Sequence, residues 1–356
     1  MKILHMPQKG TLSMVQDFWR NTMLALPCLS ALAAPARAED VASFYRGKTV
    51  TIVLGVDPGG TYDNSARMVA RSLGKYIPGN PNVVIQYMAG VNAVPAANYV
   101  YNIAPHDGSA IWGGTRLAPF EPLFGNANAR FDVAKVRWLG STASEVGVVI
   151  AWHTAPVQTT DDLFTKELIA GATIPSGDTY LYPNALNKLL GTKFRMVSGY
   201  PSQEPIGIAM EKGEVQGSGN WSWSGIPVFH ANWLSEQKIH VLMQLGLQKH
   251  PDLPDVPLVM DYARTEEQRQ ILSILMGMKQ FGYPFFAPPG VPAERADALE
   301  KAFSDLFHDP EFLAEAKRQN RGSGMATGAE MSQVVAAAYA LPQDVIMRAR
   351  DIIAVK

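Results

Sequence analysis

Two short stretches of this 356-residue chain combine residue types that can hold an anion. The first runs Gly55-Val56-Asp57-Pro58-Gly59-Gly60-Thr61-Tyr62-Asp63, directly after the apolar run 50–54. Gly59 and Gly60 permit backbone conformations denied to other residues, and Thr61 or Asp63 can cap the helix-like segment that follows. Backbone N–H groups then converge at the positive end of a helix dipole, which suits a carboxylate or a phosphate. The dinucleotide fingerprint G-x-G-x-x-G is absent, so a nucleotide cofactor is not implied. Taken alone, the stretch also reads as a plain strand–turn–helix connection. The second stretch, Ile174-Pro175-Ser176-Gly177-Asp178-Thr179, leaves another apolar run through a Gly/Ser turn. Its N–H groups and the Ser176 and Thr179 hydroxyls can grip one end of an anion, or Asp178 can simply cap the helix. Both turns stand at the carboxyl end of a predicted strand, where ligands of open α/β sheets lie.

Further candidates are thinner. Arg116, just past a third predicted strand, can pair with a carboxylate ligand or form a surface salt bridge. Asn220-Trp221-Ser222-Trp223-Ser224 follows a strand-like 215–217 and would present one or both indoles at a loop, with burial in the core as the other reading. No G-x-S-x-G elbow, H-E-x-x-H helix or G-x-x-x-x-G-K-[ST] loop occurs, and His106, His153, His230, His240, His250 and His308 show no metal-ligand spacing. These patterns argue against catalysis, so no catalytic residue, metal or cofactor is expected.

The elements that would position these turns follow from periodicity. Strands are predicted at 50–55, 83–87 and 109–113, with helices at 63–76 and 94–103 between them. After a β-branched run at 146–152 the alternation restarts, with strands at 168–174, 193–198 and 239–245 and helices at 178–191 and 203–213. A Pro-rich extended segment at 282–289 precedes helices at 293–307, 310–319 and 328–339. Continuously apolar strands separated by helices indicate mostly parallel sheets covered on both faces. The fold class is therefore α/β, in two lobes: lobe 1 from 39–146 plus 280–356, and lobe 2 from 147–279.

Residues 1–38 read as a signal peptide. Lys2, Lys9 and Arg20 precede the apolar run 23–34, and Ala36-Arg37-Ala38 has the small-x-small form of a cleavage site. The run is short for a membrane anchor, and Pro27 before Cys28 spoils a lipoprotein box. Cleavage after Ala38 would give a periplasmic protein without cysteine, stabilised by an ordinary core and not by disulfides. It would also remove four basic residues against Asp17, leaving a chain more acidic than the full-length net charge of −1. No basic field for nucleic acid exists, so any anion must be held by local groups.

In this order the motifs resemble the tripartite tricarboxylate transporter solute-binding proteins, the TctC/Bug family. The resemblance rests on Tyr45-x-Gly47-Lys48-x-Val50-x-Ile52, Pro58-Gly59-Gly60-x-x-Asp63, Ala66-Arg67, Ala96-Ala97-Asn98-Tyr99 and Asp107-Gly108. It continues through Leu139-Gly140-Ser141, Gly199-Tyr200-Pro201, Glu211-Lys212-Gly213-Glu214-Val215, Pro251-Asp252-Leu253-Pro254 and Ala287-Pro288-Pro289-Gly290-Val291-Pro292. It implies a two-lobe periplasmic-binding-protein fold of type II closing on a small organic carboxylate, which a monomeric carrier delivers to the large and small subunits of a membrane permease. It also implies that Pro58 to Asp63 contact ligand partly through water, and that the turn at Ser176, Gly177, Asp178 and Thr179 holds a carboxylate. Where the family has G-A-G-G or G-A-G-S, this chain has Gly90-Val91-Asn92-Ala93-Val94-Pro95, which brings Asn92 to that surface. A receptor-presenting sensory module is the first alternative function and a periplasmic enzyme on the same scaffold the second. The extra indoles, Trp221 foremost, suggest a ring-bearing carboxylate as ligand.

Overall fold

The computed structural model describes residues 40–144, 146–175, 177–318 and 324–354; the expected leader and Ser176 lie outside them. A short helix α1 (Val41–Tyr45) leads into β1 (Thr49–Leu54), α2 (Thr61–Leu73), β2 (Asn82–Tyr87), α3 (Val94–Asn102), β3 (Ala110–Gly113) and β4 (Arg137–Ser141). The chain then crosses to β5 (Gly147–Trp152), α4 (Asp162–Thr165), β6 (Leu168–Gly171), α5 (Asp178–Leu190), β7 (Phe194–Val197), α6 (Gln203–Glu211) and β8 (Gly217–Ser222). Two short helices, α7 (Ile226–Phe229) and α8 (Ala231–Ser235), precede β9 (Ile239–Leu245) and α9 (Glu266–Gly277). It returns through β10 (Pro284–Ala287), α10 (Ala293–Phe307), α11 (Pro310–Arg318), β11 (Ala326–Thr327), α12 (Gly328–Tyr339) and α13 (Gln343–Ile353).

The strands form two sheets, ordered β11-β4-β10-β3-β1-β2 and β7-β6-β8-β5-β9. The βαβ parts are parallel, β1 with β2 and β3, and β6 with β7 and β8. Each sheet is nonetheless mixed. The strand arriving from the other lobe enters antiparallel: β10 between β3 and β4, and β5 between β8 and β9. A crossing strand that inserts into an existing sheet meets neighbours running the other way, so the expectation of mostly parallel sheets fails at these places.

Three hydrophobic clusters hold the unit together. One lies under α2, α10 and α11 against the first sheet, with Ile52, Leu54, Val69, Phe285 and Phe303. Another joins α6 and α8 to the second sheet through Ile150, Ile206 and Trp233. The largest contains residues of both sheets, from Val53, Trp112 and Phe286 to Val149, Tyr182 and Leu245, together with Met278 and Phe281 of the return segment. The last helix, α13, packs on α5 and α9, so segment 280–356 is shared between the sheets. No helix among the described residues is long and apolar enough to cross a membrane.

The Trp-bearing stretch is not a loop. β8 spans Gly217-Ser-Gly-Asn-Trp-Ser222, a composition poor in strand formers. Its glycines are there because neighbours come close. A Cβ on Gly217 would stand 2.2 Å from the Ile150 carbonyl oxygen, and one on Gly219 would stand 2.4 Å from the Pro183 ring.

Candidate functional site

The first turn supplies its own anion. β1 ends at Leu54, Pro58 through Thr61 are exposed, and Gly59 adopts φ +96°. Gly60 is the extended N-cap of α2 (φ −84°, ψ −179°) and brings no side chain to that helix start, and Asp63 does not cap it. Asp63 instead turns back into the protein. Its carboxylate, 1 % exposed, accepts the Gly59 N–H at 2.7 Å, the Tyr87 hydroxyl at 2.6 Å and Arg67 Nε at 3.0 Å. Burial opposes ionisation of Asp63, but the Tyr87, Gly59 and Arg67 bonds prevail and hold its carboxyl below the ordinary range. Asp63 thus braces the turn, and the Gly59 amide is engaged by it.

Asn92 is also turned inward. Asn92 and Ala93 both take left-handed conformations (φ 50° and 62°), packing Ala93 where a Cβ on Gly55 would collide at 2.3 Å. Asn92 Nδ2 donates to Glu121 Oε1 at 2.5 Å, and its carbonyl accepts from Thr115 Oγ1 at 3.1 Å. The side chain that was expected at the ligand surface fixes the following loop.

The second turn is built differently. Thr179 is buried; its Oγ1 accepts the Thr173 N–H at 2.9 Å and lies 2.9 Å from Thr173 Oγ1. It closes the turn on itself through Thr173. Gly177 is the extended N-cap of α5, again without a side-chain cap, and a Cβ there would stand 2.3 Å from Thr173 Oγ1. Asp178, first residue of α5, does not cap it. Its carboxylate reaches instead to the Arg116 guanidinium, which follows β3 of the other sheet. These two side chains are 26 % and 28 % exposed. Burial disfavours both charges, and the pairing outweighs it. Arg116, helped by Lys279, holds the Asp178 carboxyl below its ordinary value, while Asp178 raises the Arg116 guanidinium.

Lys279, Tyr182 and Tyr62 complete this junction, and of these Lys279 and Tyr62 were not singled out from the sequence. Lys279, buried in the return segment, donates to Asn220 Oδ1 at 2.9 Å and stands 4.3 Å from the Tyr182 ring centroid, a cation–π arrangement. The fit depends on Gly147, where a Cβ would lie 2.1 Å from Asn220 Oδ1 and 2.8 Å from Lys279 Nζ. Tyr182 is buried on α5, and its hydroxyl is pushed far up by that burial and by Asp178. Tyr62, on α2, accepts the Arg116 backbone N–H at 3.4 Å and meets Tyr283 edge to face at 5.0 Å. A lysine inside the apolar stretch 274–281 was the one visible sign of this arrangement. Arg116 and Lys279 both act on the Asp178 carboxylate here.

Trp221 leaves the site. It is 1 % exposed, edge to face with Trp233 at 5.4 Å and with His230 at 5.5 Å, and Gly207 on α6 makes room for the pair. Trp223 is also buried, but its Nε1 has no hydrogen-bond partner among the described residues.

Comparison with known proteins rests on shape. No protein-family model matches the chain, and no curated protein matches it by sequence. A ligand-free TctC solute binding protein from Polaromonas is similar in structure (TM-score 0.64, 15 % identity) over 85 % of this chain and 99 % of that one. The periplasmic binding protein BugD has a TM-score of 0.52 at 16 % identity, over 86 % and 98 % of the two chains. MatC from Rhodopseudomonas palustris, solved with bound malate, has a TM-score of 0.51 at 18 % identity, over 86 % and 99 %. The likeness shows the fold: an α/β, two-lobe architecture of the periplasmic-binding-protein kind.

Proposed function

We propose that this chain is a non-enzymatic, exported solute-binding protein of the TctC/Bug type. It takes up a small organic carboxylate between its two lobes and delivers it to a tripartite tricarboxylate-type permease. The observation that carries this reading is the Arg116–Asp178 pair, which joins the strand ends of one sheet to a helix start of the other, with Lys279 adding a second cation beside it. A ligand carboxylate entering there meets the Arg116 guanidinium. It also meets two helix starts whose N-cap residues, Gly60 and Gly177, carry no side chain. Donors from both lobes favour the closed arrangement when ligand is bound, which is the difference a permease can read. The malate of MatC, a protein of the same fold, is a ligand of this chemical class.

Isothermal titration of the purified protein with succinate, malate, citrate and aromatic carboxylates tests the reading. At least one is expected to bind. Arg116→Ala should weaken it by about 100-fold, or ~2.7 kcal/mol, because the ligand loses its cation and Asp178 is left without a partner. Binding untouched by that substitution would overturn the assignment of the site. Turnover of any of these acids would overturn the non-enzymatic reading.

A further inference from the structure

Two unpacked aliphatic side chains flank the Arg116–Asp178 junction, one from each lobe. Val91 follows β2 and is 81 % exposed; Ile174 follows β6 and is 63 % exposed. A single exposed aliphatic residue is ordinary, but these two are tied to the same junction by hydrogen bonds. The Asn92 carbonyl, next to Val91, accepts Thr115 Oγ1 at 3.1 Å, which holds that turn against the residue before Arg116. The Ile174 carbonyl accepts the Gly177 N–H at 2.8 Å, at the start of the helix that carries Asp178.

The charges nearby select what these side chains can meet. No lysine or arginine occurs in residues 88–102 or 172–187. The cations of the junction are already engaged, Arg116 with Asp178 and Lys279 with Asn220. Carboxylates do stand beside the Val91 turn. Glu121 accepts the Asn92 side chain at 2.5 Å. Asp57 is exposed two residues after Gly55, against which Ala93 packs. An anionic group brought to Val91 and Ile174 would lose water, gain no cation and face these carboxylates, which is costly. A methylene chain in the same place removes apolar surface of ligand and protein from water together. The indoles that suggested a ring-bearing ligand are buried, and the exposed apolar side chains at these two turns are aliphatic.

We propose that the ligand of the interlobe junction is an aliphatic monocarboxylate, and that Val91 and Ile174 are the residues that select it. This rests on the carboxylate-binding reading given above and narrows it. The carboxylate of the ligand meets Arg116, and its tail lies between Val91 and Ile174 as the lobes close. A dicarboxylate of the same length is rejected because its second charge arrives where only aliphatic surface and carboxylates wait.

Calorimetric titration with hexanoate and adipate, six-carbon acids that differ only at one end, tests this. Hexanoate should bind at least tenfold tighter than adipate. From propionate to hexanoate the affinity should rise about threefold per methylene. The double variant Val91→Ser, Ile174→Ser should cut that rise below twofold per methylene; both side chains are exposed, so its thermal melt should match the parent. Val91→Lys places a cation at the tail end, so adipate should gain at least tenfold while hexanoate weakens about threefold. Arg116→Ala separates the two levels of the reading. Hexanoate binding that survives Arg116→Ala overturns the junction and this inference with it. Adipate binding as tightly as hexanoate, or affinities flat along the series, with Arg116→Ala still disabling both, overturns the aliphatic class alone. Adipate affinity unmoved by Val91→Lys overturns the placement of the tail at Val91.

Discussion

The two glycine-led helix starts look alike in sequence and are used in opposite ways. At α2 the nearby aspartate, Asp63, folds back and satisfies Gly59, Tyr87 and Arg67 within its own lobe. At α5 the corresponding aspartate, Asp178, reaches out of its lobe to Arg116. A carboxylate saturated at home contributes to stability whatever the lobes do. A carboxylate whose partner sits on the other lobe contributes only when the lobes are close, so it couples to closure and to any anion competing for the same guanidinium. The first turn is therefore a rigid wall, and the second is the part that responds.

The largest effect expected from this contrast is on stability at the first turn. Asp63→Ala strips the acceptor from the half-buried Tyr87 hydroxyl, the Gly59 amide and Arg67 and should lower unfolding free energy by ~2 kcal/mol. Carboxylate affinity should move less than threefold in urea-melt and calorimetry experiments run side by side. Next comes Asp178→Asn, whose signature is reversed. It removes the internal competitor for Arg116 and leaves that guanidinium facing the ligand, so affinity for a carboxylate should rise about tenfold, ~1.4 kcal/mol. Stability should fall by only ~1 kcal/mol. If Asp178→Asn instead abolished binding, Asp178 would be a ligand contact and the contrast would fail.

The glycines allow a smaller, sharper comparison. Gly60 has open space around a built Cβ and an extended backbone, whereas a Cβ on Gly177 would stand 2.3 Å from Thr173 Oγ1 and 3.1 Å from the Ile174 carbonyl. Gly177→Ala should therefore destabilise by ~1–2 kcal/mol through overpacking. Gly60→Val should melt within ~0.5 kcal/mol of the parent while crowding the approach to the α2 amides, so its effect should be confined to binding. A Gly60→Val protein that binds normally would remove this turn from the site and leave the second turn alone responsible.

Much of the frame was legible because its signals are local. The stripe Ala66, Val69, Leu73 gives α2, and continuous apolar runs give β1 and β5. What was not legible depends on partners far along the chain. Asp178 and Arg116 lie 62 residues apart, and nothing in either neighbourhood shows that one is the partner of the other. β8 reads as a turn because Gly217 and Gly219 are required by the Ile150 carbonyl and the Pro183 ring, neighbours invisible in a linear string. Trp221 was misplaced for the same reason: once β8 is a strand, its side chain faces α6 and the core. Lys279 at the junction was missed because its place depends on Gly147 and Asn220 together.

Acid titration gives the smallest effect and separates the two aspartates by what each controls. Both carboxyls are held below their ordinary value in the folded protein. A group with a depressed folded pKa contributes fully above its unfolded value, ~3.9 for aspartate, and loses that contribution as pH falls through the folded one. Between pH 7 and 5 neither aspartate should alter stability, and below about pH 4 both should. Asp107, where burial is outweighed by the Ser109 bonds, and Asp309, held down chiefly by the Tyr76 hydroxyl, provide an acid-limb background common to every variant. Against it, Asp63→Asn should flatten the fall of urea-unfolding stability below pH 4, because the proton that the native state resists has no site left. Asp178→Asn should flatten that fall less, and should in addition flatten the acid dependence of interlobe distance, measured by fluorescence transfer between labels on α2 and α6. If the two substitutions flatten the same curve by the same amount, the carboxylates belong to one cooperative structure and the distinction between a braced turn and a responsive one disappears.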